Sequence, residues 1–129
     1  MATNFERSAE FMRAFGQHVH SKPTLQEKEV GELRYELIRE ELQELKEGMD
    51  KSDIVEIADA LTDLLYVVYG AGHAYGINLD DCYYEVHRSN MTKLGPDGKP
   101  IYREDGKVLK GPDYDPPHLA QILLRSMTT

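Results

Sequence analysis

Between Lys51 and Arg88 the chain has no lysine or arginine, yet Glu56, Asp59 and Asp63 stand inside its most apolar stretch, "DIVEIADALTDLLYVVY". On a helical wheel with Asp53 at zero, Ile57, Leu61, Leu64 and Val68 cluster between ~20° and ~80°. Ile54, Leu65 and Ala58 widen the arc to ~140°, while Glu56, Asp59 and Asp63 share a stripe between ~240° and ~300°. A helix apolar around most of its circumference must be covered on several sides, so this one should be central. Its one polar stripe is purely acidic and has no local basic partner at i,i+4, a spacing at which like charges repel. Shielded carboxylates need a counter-charge. Another helix, another chain or a metal ion could supply it.

The preceding segment poses the same problem. With Leu33 at zero, Leu37, Leu45, Ile38 and Leu42 span ~40° to ~180°. Glu44 at ~20° and Glu41 at ~80° fall within or beside that apolar arc. Glu40 lies at its edge, and Glu36 and Glu47 lie further toward solvent. A Glu-rich helix is ordinarily a solvated, ion-paired face, and Arg39 and Lys46 are available for that role. The short "KEGMDKSD" connection folds the two helices into an αα-hairpin, which brings Glu41–Glu44 and Glu56–Asp59 to facing turns. A convergent all-oxygen set suits Mg²⁺ or Mn²⁺, because zinc favours Cys and His.

The rest of the chain frames this hairpin. Its 129 residues suggest a single domain, 1–129, with a helical core over about 4–94. A first helix is expected from Asn4 to about His20, and a second from Leu25 to about Glu47, opened by a Thr24–Glu27 capping box and broken at Gly48. The third starts near Ser52 or Asp53 and ends at about Tyr69, where "GAGHAYGIN" loosens the chain. The fourth, capped by Asn78, runs from Leu79 to about Leu94. There Asn90 and Lys93 share the apolar face and together resemble a phosphate-binding pair; taken singly, they are a packing amide and a snorkelling cation. Within 95–129, "IYRE-DG-KVLK" predicts a small β-hairpin, and a short helix follows from His118 to about Arg125. The fold class is therefore all-α: an antiparallel bundle of about four main helices with a C-terminal β-hairpin appendage, completed by oligomerisation.

Composition narrows the function. A net charge of −8, from 23 acidic and 15 basic residues, argues against direct nucleic-acid binding. The single cysteine, Cys82, allows no internal disulfide and fits a reducing, cytoplasmic setting. The opening "MATNFERSAEFMRAF" lacks the apolar core of a secretion signal, and no stretch is long enough to span a membrane. The five histidines are scattered, which gives a Ser, Cys or His nucleophile little support.

Glu41-x-x-Glu44 followed by Glu56-x-x-Asp59, with Asn90 and Lys93 downstream, resembles the signature of the all-α nucleoside triphosphate pyrophosphohydrolases. This is the MazG-like group, which includes the phosphoribosyl-ATP pyrophosphohydrolases. The likeness spans roughly Thr24 to Leu94. It implies a Mg²⁺-dependent enzyme that cleaves a (deoxy)nucleoside triphosphate between the α and β phosphates, giving monophosphate and pyrophosphate in nucleotide-pool housekeeping. Glu41, Glu44, Glu56 and Asp59 match the metal-ligand positions, with Mn²⁺ as a substitute ion. Glu40 matches a further glutamate that acts as a ligand or activates water, and Asn90 and Lys93 match phosphate-contacting positions. Members of the group are homodimers or homotetramers. The alternatives are phosphoribosyl-ATP as substrate, or a non-catalytic acidic bundle that binds metal or a basic partner. Asp63 has no place in the motif.

Overall fold

The computed structural model describes residues 1–128, which form five helices: α1 (Asn4–Ala14), α2 (Lys28–Asp50), α3 (Ile54–Tyr75), α4 (Leu79–Met91) and α5 (Leu119–Thr128). They divide into two compact units, Met1–Leu79 and Asp80–Thr129. None of the helices is long and apolar enough to cross a membrane.

In the first unit α3 packs along α2 and also against α1. The capping box lies at the start of α1 and not at α2. Thr3 accepts from the Glu6 N–H, and Glu6 accepts from the Thr3 N–H at 2.8 Å. Thr24 instead turns its hydroxyl to the Lys22 carbonyl, and α2 starts at a Glu27 N-cap with no side-chain hydrogen bond. Phe5, Ala9 and Met12 of α1 are buried, together with Ala60 and Ala74 of α3. His73 is buried as well: its ring stacks on Phe5 at 3.8 Å, and its Nε2 lies 2.7 Å from the Phe5 carbonyl.

The glycine-rich "GAGHAYG" tightens the fold where a loosening was expected. α3 continues through it to Tyr75 and ends on Gly76, which takes the left-handed conformation at φ 69°. A Cβ on Gly76 would lie 1.9 Å from the Lys22 carbonyl oxygen. The segment before α2 is stitched to the end of α3 there, by His20 N–H to His73 O at 3.0 Å and Thr24 N–H to Tyr75 O at 2.8 Å. Only glycine meets both the backbone angle and the close approach.

α2 runs through Gly48, expected to break it, as far as Asp50. A Cβ on this buried glycine would stand 3.2 Å from the Ile57 nitrogen and 3.3 Å from Glu56 Cγ. The missing side chain therefore lets α2 close onto the first turn of α3. Asp53 then caps α3 by accepting from the Val55 and Glu56 N–H groups.

The second unit is held largely by polar bonds. Glu85 of α4 is buried, pairs with Arg88 at 2.8 Å and accepts from the His118 N–H at 2.7 Å. Arg88 also reaches Asp115 at 3.0 Å, and the Ser89 hydroxyl donates to the Asp115 carbonyl at 2.7 Å. The expected β-hairpin is reduced to one antiparallel bridge, Tyr102 to Val108, around a turn with Gly106 at φ 86°. The Asp-Gly turn forms, but Tyr102 and Val108 are both exposed, and so short a pair without a covered face does not build a stable ladder.

Candidate active site

The register of the α2–α3 hairpin decides which carboxylates meet. Gly48 lies against Glu56 at the turn. Seven residues along each helix is about two turns, which returns to the same face. That step leads from Gly48 to Glu41 and from Glu56 to Asp63. Glu41, Glu44 and Asp63 each present a carboxylate oxygen, and these oxygens lie within 4.8 Å of one another. Glu41 and Asp63 are half-buried, whereas Glu44 is exposed.

The electrostatics of the trio are unbalanced. Burial first, then the adjacent Glu44 and the charges of Asp63 and Asp59, push the Glu41 carboxyl up to about 7. Burial, followed by Asp59 and Glu44, also raises Asp63 above the usual carboxylate range. Glu41 Oε2 is shut away from solvent with no hydrogen-bond partner. A buried acceptor left unmet costs about 1–3 kcal/mol, and more when charged. A hard cation is the simplest partner for three converging oxygens. The site therefore fits Mg²⁺ or Mn²⁺ by its donor chemistry and by its one orphaned oxygen.

The remaining candidates fall in different places. Asp59 is exposed on α3, and its charge acts on both Glu41 and Asp63. Glu56 is half-buried and pairs with Lys51 at 3.6 Å, so it does have a basic neighbour, supplied from the turn and not at i,i+4. Glu40 is exposed beside Glu41. Asn90 and Lys93 belong to the second unit. Asn90 is exposed near the end of α4, and Lys93 lies past that helix, where its carbonyl accepts from the Gly111 N–H at 2.8 Å. The two do not share one helix face. Glu36 is engaged by Arg39, in the solvated role expected of it.

Asp63, which the sequence motif leaves unplaced, stands in the cluster. Its signal was its place on the acidic stripe beside Asp59. A wheel drawn for one helix cannot show which stripe residue faces Glu41, because that depends on where the turn sets the register.

The sequence matches the phosphoribosyl-ATP pyrophosphohydrolase family over residues 8–90. An uncharacterized protein of Acanthamoeba polyphaga mimivirus is 34% identical over 113 residues, which cover 84% of this chain and 43% of the viral protein. The chain thus spans less than half the length of that curated relative. A crystal structure from Exiguobacterium sp. 255-15, provisionally described as an NTP pyrophosphohydrolase, is similar with a TM-score of 0.55. It is 26% identical, and the match covers 99% of this chain and 98% of that one.

Proposed function

Because the chain belongs to the phosphoribosyl-ATP pyrophosphohydrolase family, within the MazG-like all-α group, we propose that it hydrolyses a nucleoside triphosphate between the α and β phosphates. The products are a monophosphate and pyrophosphate. The observation that carries this reading is the Glu41–Glu44–Asp63 cluster with its orphaned Glu41 oxygen.

Glu41, Glu44 and Asp63 would hold Mg²⁺, with Asp59 on the adjoining turn. Glu56 joins them when its pair with Lys51 opens, and a partly exposed pair of that kind resists little. When bound, the ion supplies the charge that neutralises the triphosphate and polarises the phosphorus under attack. Glu40 orients the attacking water and accepts its proton. Asn90 and Lys93 are assigned to phosphate binding on the family resemblance and on their side-chain chemistry, Lys93 giving charge and Asn90 directional bonds.

A second copy of the chain completes the fold in this reading, as a homodimer or homotetramer. Its support is the apolar surface left open on the hairpin: Leu33, Leu42 and Met49 of α2, and Ile54, Leu61 and Leu65 of α3, are each exposed by 46% or more. Apolar side chains left open in this number favour association. Analytical ultracentrifugation checks it, and a monomer at micromolar concentration would refute it.

The family match also favours phosphoribosyl-ATP as substrate, with the same bond chemistry. Pyrophosphate release from nucleoside triphosphates and from phosphoribosyl-ATP, in Mg²⁺ and in EDTA, decides between them. Release that survives EDTA would sink the metal-dependent mechanism, and no release from any substrate would leave a non-catalytic acidic bundle.

A further inference from the structure

The register that brings Glu41 to Asp63 continues along the hairpin. Seven residues further on each helix lie Arg34 and Gly70, and a Cβ on Gly70 would stand 2.9 Å from Arg34 Nη1. The glycine makes room for the guanidinium. Here α1, α2 and α3 border a half-open pocket of about 280 Å³, walled by Phe11, Tyr66, Leu37 and Val67 and carrying Ser8, Arg34 and Gln17, of which the Ser8 hydroxyl already donates to the Phe5 carbonyl. Phe11 and Tyr66 meet edge to face, with ring centroids 5.5 Å apart.

Arg34 is an unusual wall residue. It forms no ion pair among the described residues, and its Nε is buried without a hydrogen-bond partner. Its one hydrogen bond goes from Nη2 to Gln17 Oε1 at 3.3 Å. Arginine has no acceptor, so Gln17 must turn its amide oxygen toward Arg34 and leave its NH₂ free to donate. Both polar groups therefore offer hydrogen to an occupant, between apolar and aromatic walls that suit a planar ring. The cavity lies about 10 Å along the helices from the carboxylate cluster at 1.5 Å per residue. A 5′-nucleotide spans such a distance from its phosphates to its base.

We propose that this cavity holds the substrate base and that Arg34 and Gln17 select a base with a carbonyl on its major-groove edge, namely guanine, uracil or thymine, over adenine. Guanine offers arginine an O6/N7 acceptor pair, whereas adenine presents an amino donor at the equivalent edge. Burial holds the Arg34 guanidinium below its ordinary basicity. The selection rests on the pyrophosphohydrolase reading for the placement of the phosphates, and it disfavours phosphoribosyl-ATP, whose base is adenine.

The test uses the full chain, Arg34→Met and Gln17→Met. Gln17 is exposed beyond α1, so its substitution leaves the fold intact even if Arg34→Met does not. Pyrophosphate release from dGTP, dUTP, dTTP and dATP in Mg²⁺ gives kcat/KM ratios. Calorimetric titration with dGMP, dUMP, dTMP and dAMP in EDTA gives base preference without turnover. The wild type should favour at least one carbonyl base over adenine by about tenfold or more in both assays, the size expected of a good bidentate contact. Arg34→Met should bring the ratio near unity, and Gln17→Met should lower it less. Equal use of dATP by the wild type, or a preference that both variants retain, overturns the base assignment while the hydrolysis stands. Carbonyl-selective monophosphate binding without cleavage of any triphosphate overturns the hydrolysis and keeps the base pocket.

Discussion

Glu41 and Glu85 are both shielded glutamates on helices, and they titrate in opposite directions. Glu41 is pushed up to about 7 by burial and by the carboxylates around it. Glu85 is held down to about 2, first by the Arg88 guanidinium and then by the His118 N–H. The residue type is the same, and the difference lies in what each environment supplies. Around Glu85 both oxygens are paired, so its charge is satisfied within the second unit. Around Glu41 the neighbours are more carboxylates, and one oxygen has no partner. A satisfied buried charge is a structural tie, whereas an unsatisfied cluster of one sign is unstable unless protonated or given a cation. That contrast separates a scaffold acid from a candidate catalytic one.

The largest test is Glu41→Gln. It should lower pyrophosphate release by about 10²–10⁴-fold, the range for losing an essential acid–base or ligand group, while circular dichroism stays unchanged. Its melting temperature in EDTA should rise, because like-charge crowding is relieved. Glu85→Gln should do the reverse: the melting temperature falls by several degrees as Arg88 and the His118 N–H lose the charge and one of the two oxygens they share. If Glu41→Gln melts lower and Glu85→Gln melts higher, the comparison is broken.

Mg²⁺ should come next. At a hundred times its Kd, a cation that binds only the native state stabilises by about 2.7 kcal/mol. That gain should vanish in Asp63→Asn and persist in Glu85→Gln, as read by thermal shift.

The pH dependence should show two windows of opposite sign. Glu41 binds its proton more tightly folded than unfolded, so in EDTA its contribution is present below pH 4.5 and is lost as pH rises through about 7. Glu85 binds its proton less tightly folded, so its contribution is present above pH 4.5 and is lost as pH falls toward about 2. Melting curves of the wild type against each Gln variant isolate the two. Mg²⁺ should raise the melting temperature more at pH 8 than at pH 5.5, because only ionised ligands bind it.

The smallest effect concerns the turn that sets the hairpin register. Ser52 takes a left-handed conformation at φ 52°, which costs a non-glycine residue about 1 kcal/mol. Ser52→Gly should stabilise by about 0.5 kcal/mol after the added chain entropy and leave activity alone. Chemical denaturation measures it.

Helix order and number were legible from hydrophobic periodicity. The errors sit where local signals had rivals. Thr24–Glu27 has the spacing of a capping box, but the segment is drawn to the end of α3 by hydrogen bonds to His73 and Tyr75. Gly48 and the 70–76 glycines read as breakers because their use is in close approach, which needs a neighbour to be seen. The Asp-Gly turn formed as its chemistry requires, but no covered face supports strands around it. Lys93 fell off the face it was placed on because α4 ends at Met91.

The sequence by itself determined that two amphipathic helices would carry acids beside their apolar faces, with no lysine or arginine on the second of them, since helical period and residue identity are local properties. It also determined that Glu41 and Glu44 would point where leucines are expected. The tertiary structure decided that Asp63 joins them, that Glu56 is drawn to Lys51, and that Arg34 stands two turns away over Gly70. All three follow from one quantity that periodicity lacks, the register of α2 against α3. That register is fixed where Gly48 leaves room for the first turn of α3, and a contact between helices is not encoded in the pattern of either one.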